Sequence, residues 1–331
     1  MLIRIALGFC ASVLLATSAH AVEPIKIGVV STLTGPYAEW GTFQVNGLKL
    51  ALEEIQKAGG ILGRPVEVRI EDNASTNPGT VLAFTKLFTD PEIKGIVGPI
   101  ASTQIQAASP VIAKAGVPTM IGGTDPSLTR INNKWVFRGR PNDLYSSKVI
   151  AGFGVNTLKV RKWAIVHATD AFGQGGAKAL TEELQALGIT PVLVQGYTSN
   201  SQDFAPVVLA IKKSGAEVLG TYMTVPSVQA IFAKQLRQLG VNIQWIGSPT
   251  TAAVTTRTLA GEALYGSYAV ADFNAEANEA VRKAILAIKS YKGLEGTYAF
   301  DARGDGVHGY NVVKNEGGQI VFIKRVDFPI E

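Results

Sequence analysis

Three short segments carry residues whose types and spacing suit the binding of an anion. Gly98-Pro99-Ile100-Ala101-Ser102-Thr103 follows an apolar run at Gly95 to Val97 and opens a helical pattern. In open α/β sheets, ligands collect at the carboxyl ends of strands, where helix N-termini leave backbone N–H groups unsatisfied. Ser102 and Thr103 either cap that helix or, together with the free N–H groups, hold a carboxylate. Gly122-Gly123-Thr124-Asp125-Pro126 follows the next strand pattern. Glycines such as Gly122 permit close backbone approach to a ligand. Thr124 can donate to a carboxylate and Asp125 can accept from an ammonium; the alternative is a plain turn ahead of Pro126. Thr169-Asp170-Ala171-Phe172-Gly173-Gln174-Gly175 forms an equivalent loop later in the chain. Phe172 there either meets a ligand held by the earlier loops or packs beneath a glycine-rich turn. Trp40, in the loop from Gly35-Pro36 to Gly41, either covers a ligand or packs on its own side.

Groups suited to catalysis are few. Past the first 21 residues the histidines are His167 and His308, and the single cysteine, Cys10, lies within those 21. His167 ends an apolar strand pattern, where a satisfied core histidine is the usual case. Neither a G-x-S-x-G nor an H-E-x-x-H pattern occurs, which argues against serine hydrolase and zinc protease chemistry. The loop at Gly35 to Gly41 is neither G-x-G-x-x-G nor a P-loop, so no nucleotide cofactor is expected. No metal and no cofactor is expected, and the chain reads as a non-enzyme. Carboxylate-based catalysis, as in some α/β hydrolase-type enzymes, stays open at this level.

These residues hang on a regular alternation. Ile25 to Ser31 is a β-branched apolar run of the kind that forms a buried parallel strand. Val45, Leu48, Leu52 and Ile55 then recur at helical spacing up to Gly59-Gly60. Strand and helix patterns alternate to Ile121, and a second series runs from Ser146 to Ile246 beyond Gly139-Arg140-Pro141. Such alternation predicts doubly wound parallel sheets, here an α/β fold of two lobes. Tyr310 to Val326 reads instead as a β-hairpin turning at Asn315 to Gly318.

The chain of 331 residues suits two domains of ordinary size. Its net charge of +5 is small and dispersed, with no basic run suited to nucleic acid. Residues 1–21 read as a cleaved signal peptide: Arg4, an uncharged stretch from Ile5 to Ala16, then Ala19-His20-Ala21. No later stretch reaches the roughly 18 apolar residues of a membrane span, so the mature protein is expected in the periplasm.

Taken in order, IKIGVVSTLTGPYAEWG, GGILGRPVEVRIEDNASTNP, IVGPIAS, AGVPTMIGGTDPSLT, WVFRGRPND, WAIVHATDAFGQGG, YTSNSQDFAPVVLAIKKSGAEVL and FDARGDGVHGYNVV resemble the leucine/isoleucine/valine-binding family of type I periplasmic binding proteins. The resemblance covers almost the whole mature chain. It implies a monomer of two hinged lobes, residues 22–139 with 272–309 and residues 140–271 with 310–331. It also implies a small-molecule amino acid or carboxylate ligand, an ABC importer permease as partner, and no nucleic acid. Residue by residue, Ser102 matches the contact to the ligand carboxylate, Thr124 with Gly122 the second contact, and Trp40 an aromatic contact. Thr103 adjoins Ser102, Phe172 stands for the second-lobe aromatic, and Tyr222 and Thr224 lie near the second-lobe wall.

Two departures stand out against that family. The acid that meets a ligand ammonium should fall near Ser248-Pro249-Thr250, where no carboxylate is present. Burying an ammonium without a counter-charge is costly. Aromatic or aliphatic acids lacking an amino group are therefore the alternative ligands, and a sensory receptor of the same fold is an alternative role. The second departure is length: only Phe273 to Ala280 precedes the helix pattern at Val281 to Ile288. The first lobe would then lack two helices and expose an apolar patch.

Overall fold

The computed structural model describes residues 22–272 and 310–326, with four two-residue strands between them. Two sheets organise the chain. The first is built from β1 (Ile25–Ser31), β2 (Val66–Asp72), β3 (Ile93–Val97), β4 (Thr119–Ile121) and β5 (Val136–Arg138), in the order β2-β1-β3-β4-β5 with every pairing parallel. Helices α1 (Ala38–Lys57), α2 (Asn77–Leu87) and α3 (Ser102–Ala115) are its crossovers. Val30, Phe84, Leu87, Ile96, Ile105 and Ile112 form its fully packed side. On α1 only Gly41 is buried, and Phe43 and Leu50 are exposed.

The second sheet starts after α4 (Asp143–Gly152). It contains β6 (Trp163–Ala168), β7 (Leu193–Tyr197), β8 (Val218–Tyr222), β9 (Gln244–Gly247) and β10 (Tyr268–Ala271). Helices α5 (Ala171–Ala186), α6 (Ala205–Ser214) and α7 (Pro226–Gln238) connect the first of these, and α8 (Pro249–Ala252) with α9 (Val254–Ala260) precede β10. The two-residue strands β11 to β14, at 292–293, 296–297, 299–300 and 306–307, pair among themselves. The hairpin of β15 (Tyr310–Glu316) and β16 (Gln319–Val326) is antiparallel and adds to β10, giving the order β16-β15-β10-β9-β8-β6-β7. The hairpin turn carries positive φ at Gly317 and Gly318, 58° and 85°, a conformation glycine adopts without strain. Large apolar side chains such as Trp163, Phe204, Phe232 and Trp245 fill both faces of this sheet.

The alternation predicted from sequence is present, and several boundaries move in ways that matter. Helix α1 begins at Ala38, ahead of the periodic residues, so Trp40 sits in its first turn and not in a loop. A Cβ on Gly41 would lie 2.2 Å from the Thr32 carbonyl oxygen; glycine is what lets the helix start so close to the end of β1. Helix α5 begins at Ala171, so Phe172 is likewise helical. The interval expected to lack two helices lies outside the described residues.

Candidate functional site

A cleft of ≈ 880 Å³ lies between the two sheets. Its first-lobe wall is made by the start of α1 (Glu39, Trp40, Phe43), the start of α3 (Ile100, Ser102) and the loop after β4 (Gly122, Thr124). All three follow the carboxyl ends of strands, where the sheet topology gathers loops. The facing wall comes from Phe172, Thr224, Thr250, Val254 and Arg257, and Arg140, where the chain passes from the first sheet to the second, and Asp272 also line the cleft.

Ser102 is the first residue of α3, and the preceding Ala101 is its N-cap, so the expected hydroxyl cap does not form. The Ser102 Oγ accepts from the Asp125 N–H at 3.1 Å, which leaves its proton for another acceptor. Thr103 also fails to cap; its Oγ1 accepts from the Ala171 N–H at 3.2 Å, joining α3 to α5 across the lobes. Thr103 therefore does not line the cleft. Asp125 behaves as the plain turn residue, accepting from the Ser127 N–H and hydroxyl at 2.9 Å each. Each carboxylate oxygen is engaged within that turn, and Asp125 is not among the residues that line the cleft.

Trp40 both lines the cleft and stacks on Tyr37, with ring centroids 5.3 Å apart. Burial and the neighbouring Asp170 push the Tyr37 hydroxyl above its ordinary range. The expectation for Tyr222 is corrected. It is fully buried, and its hydroxyl lies 2.7 Å from both Ser146 and Ser147. It points to the helix-covered side of the sheet because α5 packs directly upon it: a Cβ on Gly176 would come within 2.0 Å of its ring. Phe172 meets that ring edge-on at 5.6 Å, so Tyr222 props the aromatic that lines the cleft without lining it. Thr250 lies in α8 and Thr224 just past β8. The Thr224 hydroxyl is buried and makes no hydrogen bond within the protein, a state that a polar ligand atom would relieve.

The charged groups in the cleft were not legible as site residues, and the protein itself engages each of them. Glu39 crosses the cleft, accepting from the Val254 N–H at 2.8 Å and the Thr255 N–H at 3.0 Å. Arg140 pairs with Asp272. Arg257 donates to the carbonyls of Ala252 and Gly318 at 3.1 and 2.9 Å. A charge beside an aromatic at a strand's carboxyl end, as in Glu39-Trp40, was the available signal. The cleft thus offers the α3 N-terminus, the hydroxyl side chains of Ser102, Thr124, Thr224 and Thr250 and aromatic walls, and among its described residues the carboxylates of Glu39 and Asp272 are engaged by the protein.

Behind the site, Asp143 is fully buried, and burial lifts its carboxyl to about 7 although the Thr124 and Ser146 hydroxyls and Arg140 and Arg138 favour the charge. A carboxyl raised on folding holds its proton longer in the native chain than in the unfolded one. Its contribution therefore falls as pH rises from the ordinary carboxylate range to about 7. Thermal melts should show Asp143→Asn gaining stability relative to the parent chain on going from pH 5 to pH 8. A constant difference between the two proteins across that range would contradict the assignment.

Two lobes built on largely parallel sheets, joined by the chain at Arg140 and facing each other across a ligand-sized cleft, define the class of two-lobe binding proteins. Comparisons agree. A family profile described as "Periplasmic binding protein" matches residues 24–305. The "Leu/Ile/Val-binding protein homolog 3" of Brucella melitensis is 31% identical over 288 residues, 85% of this chain and 76% of that protein. The solved leucine-binding protein LivK of Thermotoga maritima superposes with a TM-score of 0.80 at 18% identity, over 92% of this chain and 99% of that one. A solute-binding protein from R. palustris, solved with benzoate, gives 0.77 at 16% identity, over 91% and 96%; both show the shared fold. The chain belongs to the periplasmic binding protein family. Among the described residues no helix is long and apolar enough to cross a membrane.

Proposed function

We propose that the protein is the extracytoplasmic receptor of an ABC importer and that its ligand is a small carboxylate with an apolar or aromatic body. The observation that carries this is the cleft itself, in which Ser102 at the head of α3 and Thr124 face Phe172 and Thr250 of the other lobe. The ligand's carboxylate sits on the first lobe, accepting from the Ser102 and Thr124 hydroxyls near the α3 N-terminus. Its body lies between Trp40 and Phe172, where burial of ring or alkyl surface supplies the affinity. Closure brings the second lobe over it, and the ligand stabilises the closed form by the contacts it makes only there. The protein releases its ligand unchanged to a membrane permease and performs no reaction. It acts as a monomer in the periplasm after removal of residues 1–21, its lobes formed by 22–139 with 272–309 and by 140–271 with 310–331.

The related Brucella protein is named for leucine, isoleucine and valine, and the leucine-type amino acids are the ligands that similarity suggests. The engaged state of Glu39 and Asp272 favours acids without an amino group over them, because an ammonium would find no carboxylate of its own. A thermal-shift panel of leucine, isoleucine, benzoate, phenylacetate and 3-methylbutanoate tests both points, since a ligand raises the melting temperature by mass action. The acids should stabilise and the amino acids should do so less. Stabilisation by none of the five contradicts the carboxylate reading. Thr250→Glu places a carboxylate where the ammonium of an amino acid would lie and should move the preference toward leucine; an unchanged ranking in the same panel would count against that placement.

A further inference from the structure

Thr224 stands apart from the other polar residues of the cleft. It lines the wall just past β8, yet it is only 4% exposed, and its Oγ1 is shielded from water with no hydrogen-bond partner among the described residues. The adjacent strand β9 is followed by a similar group: Ser248 is fully buried, and its Oγ makes no hydrogen bond among the described residues. The two strand ends are joined where the Ser248 N–H donates to the Thr221 carbonyl at 2.9 Å. Buried hydroxyls are ordinarily satisfied, and the neighbouring ones are. Thr221 Oγ1 accepts from Trp245 Nε1 at 2.8 Å, Thr251 Oγ1 accepts from Gln229 Nε2 at 2.6 Å, and Thr256 Oγ1 donates to the Thr250 carbonyl at 2.8 Å.

We infer that Thr224 heads a second polar subsite, which takes a neutral hydrogen-bonding substituent, a hydroxyl above all, at the end of the ligand remote from its carboxylate. The inference rests on the carboxylate reading above and narrows the ligand class to acids that carry such a group. Ser102 and Thr124 stand on one wall of the cleft and Thr224 on the other, so an acid seated on the first wall presents its far end to the second. A threonine exchanges the positions of its hydroxyl and methyl when χ1 turns by about 120° between staggered wells. The Thr224 hydroxyl has no bond to lose in that turn, and a ligand hydroxyl gives it one to gain. A ligand without the substituent leaves it unsatisfied behind a closed cleft, at the full cost of a buried polar group.

The surroundings select a neutral group. Pro249, Thr250, Ala252, Ala253 and Val254 lie on the same side of the cleft and carry no charge. Arg257 is engaged by the carbonyls of Ala252 and Gly318, and Glu39 by the N–H groups of Val254 and Thr255. A second carboxylate or an ammonium on the ligand would be buried there without a counter-charge of its own. A hydroxyl both donates and accepts, so it matches Thr224 in either role.

Titration calorimetry of the full chain tests the subsite, with benzoate and with the 3- and 4-isomers of methylbenzoate and hydroxybenzoate. Methyl and hydroxyl are close in size, so their difference at one ring position reads hydrogen bonding and not volume. One hydroxy isomer should bind about tenfold more tightly than its methyl counterpart. In Thr224→Val, which keeps the shape and removes the hydroxyl, that ratio should fall to unity or below. Thr224→Ser, which keeps the hydroxyl, should retain it. Without ligand, Thr224→Val should melt no lower than the parent chain, because the hydroxyl it removes has no partner; a lower melting temperature would show that hydroxyl already satisfied and would overturn the subsite. Hydroxy isomers that bind no better than their methyl counterparts, or a preference that survives in Thr224→Val, overturn the subsite while leaving the carboxylate site intact. Absence of binding by every acid of the series overturns the carboxylate reading and the subsite with it.

Discussion

Ser102→Asp should abolish binding of every carboxylate ligand while leaving the unliganded protein as stable as before. The substitution puts an acid at the first position of α3, where helix geometry welcomes negative charge. That built-in carboxylate would occupy the N–H groups the ligand needs. It would also stand within about 4 Å of the ligand's own charge, a repulsion of about 4 kcal/mol in a partly screened site, or more than a hundredfold in affinity. Calorimetry with benzoate reads the loss, and a melt without ligand checks the fold. Retained affinity would place the ligand's acid elsewhere in the cleft.

Glu39→Ala should weaken all ligands alike. Glu39 belongs to the first lobe, yet both its oxygens take backbone N–H groups at the head of α9 in the second. It touches no part of the proposed carboxylate seat. Its effect must therefore fall on the closed arrangement common to every complex. Hydrogen bonds to a charged group are worth about 1.5–3 kcal/mol when buried. Glu39 is partly exposed, and screening reduces this to about 1–2 kcal/mol, near tenfold in Kd. Stopped-flow dissociation should show faster release for each acid of the panel by a similar factor. A loss confined to one ligand class would make Glu39 a ligand contact instead of a latch.

The two variants separate chemistry from closure, and the sequence foretold them unequally. Ser102, Thr124, Gly122, Trp40, Phe172 and Thr250 were legible, and they do converge on one cleft. Each stands in a strand-to-helix segment of an open sheet, so topology alone carries it to the rim. Thr103 and Tyr222 were legible as neighbours of such positions, but not in direction. A residue one place along a helix turns by about 100°, which sends Thr103 to α5. Tyr222 faces α5 because Gly176 leaves room for its ring, a pairing of residues 46 positions apart that no local pattern reveals.

The strand β1 was read to the residue, because it is a single β-branched apolar run. The starts of α1 and α5 were placed late. Their first turns hold the very residues, Trp40 and Phe172, that the cleft requires, so helical periodicity is broken where the site begins. Glu39, Arg140, Asp272 and Arg257 escaped the sequence reading for another reason. Their partners are backbone groups or side chains that no local pattern picks out, and a charged residue is ordinarily a solvated one.

A crystal structure of the protein with benzoate is the most direct test of where the anion sits. The account places the benzoate oxygens within hydrogen-bonding distance of Ser102 and Thr124, with the ring between Trp40 and Phe172. A carboxylate found instead on Arg140 or Arg257, with the ring turned toward α3, would contradict it.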